Sequence, residues 1–322
     1  MRYLSRRLAH GLLVLLGVSV LSFTFVALAP GDFLNEMKLD PRISPEMVAA
    51  LRVRYGLDQP LPVKYVHWIQ SLLRGELGFS FAYDRPVSAL LWPRVLNTLL
   101  LTIPATVAAW LVAVPIGAWC ATRRGRWFDR MCAGLTTVLL TVPELLLALG
   151  LLLFALRTRL FPVGGMRSPG LAESGTWQSA NDLALHLVLP SVALILVNLP
   201  ILIRHVRSSL IDTLAAPFIQ GAHARGVPPS RLLFRDALRA ASNPLISLLG
   251  LSVAGLLSTS LVIEAVMSWP GLGPLLLEAI AARDMYLVIG AVMCSTLLLL
   301  AGNLAADALL YLADPRIRAD HA

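Results

Sequence analysis

The 322-residue chain contains only two lysines, Lys38 and Lys64, and neither stands between a glycine and a Ser or Thr. A phosphate-cradling loop needs that Gly-Lys-Ser/Thr context, so the chain carries no nucleotide-hydrolysing motif of its own. Its three cysteines, Cys120, Cys132 and Cys294, lack the paired spacing of a metal site. They read as small apolar fillers. The histidines (His10, His67, His186, His205, His223 and His321) do not cluster, and neither His-Glu-x-x-His nor Gly-x-Ser-x-Gly occurs. Catalytic residues, a metal ligand set and a bound cofactor are therefore not expected, and the chain is not read as an enzyme. Charge is also sparse, at 14% of residues.

The charged residues avoid six stretches: 11–31, 95–122, 131–156, 183–203, 240–263 and 285–306. Each is long enough to cross about 30 Å of hydrocarbon as a helix. The runs are continuous rather than alternating, which excludes barrel strands and leaves helices as the structure that satisfies its own backbone in lipid. With 57% hydrophobic residues and a mean hydropathy of +0.73, the expected fold class is an all-α polytopic membrane protein. It has six transmembrane helices, a small external helical cap and a loop on the opposite face. The expected domains are 1–30 (N-terminus and first span), 31–94 (external cap) and 95–322 (a five-span core containing the loop 204–242). The small residues Ala27-Leu28-Ala29 have signal-peptide spacing, but an apolar run of about 20 residues exceeds the 7–15 of such a leader. It is read as an uncleaved span.

A pI near 10.0 would suit nucleic acid, but the arginines sit at span ends, where topology explains them. Fifteen arginines fall on one face: Arg2, Arg6, Arg7, four between Arg123 and Arg130, six between Arg204 and Arg239, Arg316 and Arg318. Only five aspartates accompany them, while the other face carries twelve basic and eleven acidic residues. The positive-inside rule then puts both termini in the cytoplasm. No nucleic-acid partner is expected; the lipid bilayer is.

Outside the spans, Ser44-Pro45 reads as a helix start and Gly56 as a stop. A second external helix is predicted over 62–74 from the spacing of Tyr65, Trp68, Ile69, Leu72 and Leu73, with Gly75 behind it. Residues 157–182, rich in Gly and Pro, read as an irregular loop. The apolar 275–282 is too short to span and reads as a re-entrant or interfacial helix, with Trp269 at the headgroup boundary. On the arginine-rich face, 211–226 reads as a helix ended by Gly226 and Pro228-Pro229, and Ser230 is expected to cap the next. In that next helix Arg231, Arg235 and Arg239 form a basic stripe, and Phe234, Ala237, Leu238 and Ala241 an apolar one. Spacing alone fits either a helix on anionic headgroups or a docking element for a partner protein.

Three acids lie in or at the ends of spans, where a carboxylate is costly. Glu144, after Pro143, either lines a polar pathway or bonds a neighbouring helix. Glu264 and Asp307, near span ends, suit anchoring or pairing.

The whole chain resembles the inner-membrane permease subunits of bacterial ABC importers of the dipeptide, oligopeptide and nickel type. The resemblance rests on Ala29-Pro30-Gly31-Asp32, Tyr55-Gly56-Leu57-Asp58-Gln59-Pro60-Leu61 and Ile263-Glu264-Ala265-Val266-Met267-Ser268-Trp269-Pro270-Gly271-Leu272-Gly273. Arg283-Asp284 and Leu312-Ala313-Asp314-Pro315-Arg316-Ile317-Arg318 complete it. The family's signature, Glu-Ala-Ala, three residues, then Gly, falls on Gln220, Gly221, Ala222 and Gly226: Gln replaces Glu, and Gly replaces the first Ala.

The resemblance implies that Phe218, Gln220, Gly221, Ala222, Arg225 and Gly226 couple the chain to an ATPase, and that Trp269, Pro270, Gly271 and Gly273 belong to an external gate loop. It implies a second homologous permease, two cytoplasmic ATPase subunits that bind ATP-Mg, and a periplasmic or surface-tethered binding protein. It places the chain in the bacterial inner membrane as a multi-pass subunit. ATP binding would bias a two-state element, and the docking helix would carry that bias into the spans. Short peptides are the expected substrate because no His, Cys or Met cluster marks a metal route; nickel is the alternative. A self-sufficient ion-coupled carrier would show inverted repeats, and none is evident.

Overall fold

A computed structural model of the chain describes residues 2–28, 46, 59–170 and 175–313. Among them, helices α1 (Arg2–Leu28), α3 (Val87–Thr122), α6 (Thr176–Leu214), α10 (Ser242–Val266) and α12 (Met285–Ala313) contain the five continuous stretches long and apolar enough to span a membrane. The sixth apolar run is broken. Helices α4 (Trp127–Thr141) and α5 (Glu144–Thr158) meet at 99°. The break follows from Pro143, which lacks an amide hydrogen and forces its predecessor out of the helical region; Val142 is extended, at φ −82° and ψ 118°. The fold is all-α and polytopic as expected, with this elbow in place of one straight span.

Several helices outrun their apolar stretch. Helix α6 has 39 residues, or about 58 Å at 1.5 Å per residue, nearly twice the hydrocarbon thickness. Pro190 and Pro200 sit inside it. The loop expected over 157–182 is shorter, since α5 runs to Thr158 and α6 begins at Thr176.

The described chain divides into two compact units. The first is built on Leu99–Trp269, together with Arg7 and the part of α12 after Leu299. Its core packs Leu101 and Ala105 of α3 with Ala148 and Ala155 of α5, Leu194 of α6 and Leu256 and Ile263 of α10. Trp269 belongs to this core and is fully buried, which corrects its expected place at the headgroup boundary: a ring enclosed by protein has no headgroup contact to make. Helices approach closely where side chains are small. A Cβ on Gly117 would lie 2.7 Å from Val206, and one on Gly302 would lie 2.5 Å from Val253. The irregular loop is pinned to α6. Asp182 accepts the Ser168 amide at 2.8 Å and its hydroxyl at 2.6 Å, while the Gly165 amide donates to the Met267 carbonyl at 3.1 Å.

The second unit contains residues 8–28, 59–98 and 270–298 among those described. Helix α2 (Leu61–Leu73) matches the helix predicted over 62–74, and Gly75 behind it has φ +85°. The helix expected between Ser44-Pro45 and Gly56 lies outside the described residues. Phe23 of α1 packs edge-on against Tyr65 at 5.2 Å, and Ile289 and Met293 of α12 join the same cluster. A two-residue hairpin, β1 (Phe79–Ser80) with β2 (Arg85–Pro86), has no counterpart in the sequence reading, because two-residue strands leave no period to detect. It is anchored by Asp284, fully buried, which accepts the Ser80 hydroxyl at 2.7 Å and the Ala82 amide at 3.1 Å. The other carboxylate oxygen of Asp284 takes the Leu287 amide at 3.2 Å and so caps α12. Tyr83 donates to Glu278; partial burial and that carboxylate push its phenol up to about 12. Glu278 lies on α11 (Leu272–Ala281), the short helix predicted from 275–282.

Candidate functional site

Helix α6 stops at Leu214, and Ala216 turns extended, at φ −65° and ψ 142°. Pro217 then opens helix α7 (Pro217–Ala224) at its first position, where its missing amide costs nothing. The Gln220 side chain donates to the Ala215 carbonyl at 3.1 Å. A glutamate could not make that bond, because a carboxylate has no hydrogen to donate. The departure from the family's Glu therefore gives the end of α6 a donor.

Helix α7 ends in a Schellman turn. The Gly226 amide donates to the His223 carbonyl at 2.9 Å and the Val227 amide to the Ala222 carbonyl at 3.3 Å. Gly226 has φ +83°, the left-handed conformation such a turn requires. Ala222 and Val227 both pack on the same apolar cluster, the contact that accompanies this motif. Arg225 is exposed at the helix C-terminus, where a cation complements the dipole.

The chain continues through α8 (Pro229–Arg231), a π-helical turn (Leu232–Ala237) and α9 (Leu238–Ala240). Pro228 occupies the N-cap position, so Ser230 falls inside the first turn and does not cap the helix as expected. The π-helical turn also alters the expected stripes. Its wider, i to i+5 winding rotates side chains relative to an α-helix. Leu232, Ala237 and Ala241 are buried. Phe234, expected on the apolar side, is 70% exposed. Arg231, Arg235 and Arg239 all remain exposed.

The segment thus has two faces. Ile219, Leu232, Ala237 and Ala241 pack on Ala118 and Ala121 of α3 and on Val206 and Leu210 of α6. On the uncovered side Phe218 is 56% exposed, and Gln220, Arg225 and Gly226 are exposed with it. Two large exposed aromatics among arginines have the composition of a protein-docking surface. Gly221 is half-buried, and a Cβ there would meet nothing nearer than Arg225 Nη1 at 3.9 Å. Gly221→Ala is therefore expected to fit and to stabilise α7 by about 0.5–1 kcal/mol. Thermal denaturation in detergent checks this; a lower midpoint would contradict it.

The other sequence-derived positions have separate settings. Glu144 is the first residue of α5, half-buried just past the elbow, not in the middle of a straight span. Glu264 is fully buried in the last turn of α10, and its carbonyl accepts the Trp269 amide at 2.8 Å. Asp307 pairs with Arg7 at 3.3 Å. In the second unit the Pro270 carbonyl accepts Asn97 Nδ2 at 2.8 Å. Gly271 is extended ahead of α11, and Gly273 is buried in that helix.

The sequence reading missed a bidentate ion pair between α4 and α6. Arg207 donates from Nε to Asp129 Oδ1 at 2.5 Å and from Nη2 to Oδ2 at 2.8 Å. The Gly125 amide adds a third bond at 2.8 Å, and Asp129 is 3% exposed. The partners are 78 residues apart. The available signal was one aspartate among four arginines in the α3–α4 turn.

Comparison with known proteins agrees along the whole chain. It is 33% identical over 318 residues to the oligopeptide transport system permease protein AppB of Bacillus subtilis, covering 98% of both chains. It is 32% identical to the dipeptide transport system permease protein DppB of Escherichia coli K12, covering 99% of both. The fold matches a chain of the inward-facing MetNI methionine ABC transporter with a TM-score of 0.58 at 17% identity, covering 70% of this chain and 97% of that one. Residues 1–108 match the N-terminal component model of binding-protein-dependent transport system membrane proteins. Residues 113–319, which include α7 and the π-helical turn, match the model of the inner membrane component itself, and the chain belongs to that family of multi-pass inner-membrane transport permeases.

Proposed function

We propose that this chain is the permease subunit of an ABC importer for short peptides. It forms the translocation path with a second, homologous permease. A binding protein delivers substrate on the outer side, and two cytoplasmic ATPase subunits supply the driving force. Both termini lie in the cytoplasm. The chain binds no nucleotide: its two lysines have no phosphate-loop context, and ATP-Mg is held by the partner subunits.

The observation that carries this reading is the two-faced docking segment. Its underside is fixed to α3 and α6, while Phe218, Gln220, Arg225 and Gly226 stay exposed. An ATPase that closes on ATP would move this rigidly seated element, and with it the feet of two spans. Peptides are favoured over nickel because AppB, an oligopeptide transport system permease, and DppB, a dipeptide transport system permease, match at nearly full length.

Two measurements test the proposal. Affinity purification of the tagged chain from its native membrane should recover a second permease and an ATPase pair; the chain alone, competent for transport in vesicles, would sink it. Uptake of labelled di- and oligopeptides should fall at least tenfold when the chain is deleted. Unchanged peptide uptake alongside lost nickel uptake would reverse the substrate assignment.

A further inference from the structure

A cavity of about 440 Å³ opens between α4 and α6, on the arginine-rich side of the first unit. Cys132 and Thr137 line it from α4, and Arg204, His205, Arg207 and Ser208 from α6. Two features give it a binding character. The Arg207 guanidinium is held rigid by its fork on Asp129, through Nε and Nη2, which leaves Nη1 outside the fork. Arg204 and His205 are exposed beside it. The result is one fixed guanidinium flanked by two exposed donors over a partly apolar floor, the chemistry that recognises a phosphate group.

The depth of the cavity is marked independently. Trp119 stacks on Phe128 at 4.6 Å between ring centres, the Arg123 guanidinium lies 5.3 Å over the Trp119 ring, and Trp127 is 75% exposed. Tryptophans exposed at a span end, one with an arginine over its ring, mark a headgroup boundary. Trp119 directly precedes Cys120, which also lines the cavity, so the cavity lies at that boundary. On the same helix as Thr137, Leu135 and Val138 are exposed, which offers apolar surface to an acyl chain.

We infer that this cavity binds the headgroup of an anionic phospholipid, with the phosphate on Arg204, His205 and Arg207 and a chain along α4. A basic pocket between spans, on the face to which anionic lipids are drawn, fits that ligand better than a zwitterionic one.

The test uses the full chain purified with its associated subunits and stripped of lipid. Thermal midpoints and native mass spectrometry are recorded with phosphatidylglycerol, phosphatidylcholine and inorganic phosphate. Phosphatidylglycerol should raise the midpoint and stay bound; the other two should not. Arg204→Gln should weaken apparent affinity about fivefold, and the double variant with His205→Gln should weaken it at least as much. Arg157→Gln, an exposed change at the end of α5, should not. Equal effects of the two lipids would overturn the assignment. So would inorganic phosphate matching phosphatidylglycerol, or a double variant that keeps wild-type affinity.

Discussion

Gly226→Val is expected to abolish substrate-stimulated ATP hydrolysis in the assembled transporter while leaving the chain in the membrane. A Cβ at this position would meet nothing within 4 Å, so space is not the constraint. The constraint is φ +83°, which costs an L-residue roughly 1–2 kcal/mol and a β-branched one more. Valine would pull the turn out of the left-handed region and break the bonds from Gly226 to His223 and from Val227 to Ala222. Helix α7 would then lose its fixed angle to the π-helical turn, and Phe218 its place. The spans would be untouched, so membrane-fraction abundance should hold while stimulated hydrolysis falls tenfold or more. Gly226→Asn, which tolerates the left-handed region, should retain most of the coupling. Full transport by the valine variant would show that this turn does not transmit motion.

Arg207→Ala should destabilise the first unit by about 3–5 kcal/mol, with the one-third exposure of the arginine side chain placing it toward the lower end. The loss comes mainly from what is left behind. Asp129, 3% exposed with Arg207 in place, would keep the Gly125 amide as its remaining described hydrogen bond. Against a total stability of about 5–15 kcal/mol, the midpoint in detergent and the abundance in membranes should both fall clearly. Replacing both partners, Asp129→Leu with Arg207→Met, should recover most of the loss, because the buried charge goes with its partner. A single variant as stable as the parent would mean the fork contributes no more than a surface pair.

These two residues also show what was readable in advance. Gly226 was legible because a helix stop is local chemistry: a glycine followed by Val227, Pro228 and Pro229 leaves few conformations. The spans were legible for the same reason, since twenty apolar residues in a row need no partner to declare themselves. Helix α2 was found from the spacing of its aromatics and leucines. Asp129–Arg207 was hidden because it is a contact across 78 positions, and hydropathy does not report which charges meet. Phe234 was misread because periodicity assumes 3.6 residues per turn, and the π-helical turn over Leu232–Ala237 breaks that assumption. Trp269 was misread because an amphipathic ring fits an interface and a core equally well by composition. The elbow was half legible: Pro143 was in view, but the size of the bend depends on packing around α5.

The elbow at Val142 and Pro143 has a consequence for solvent. Each arm has 15 residues, about 22 Å of helix, short of the roughly 30 Å that acyl chains occupy. The last carbonyls of α4 and the first amides of α5 therefore end partway along an apolar run, beside Thr141, Val142 and Pro143, all exposed. Oil cannot satisfy such groups. Water or a neighbouring polypeptide must therefore reach this point in the working assembly, beside the Glu144 carboxylate.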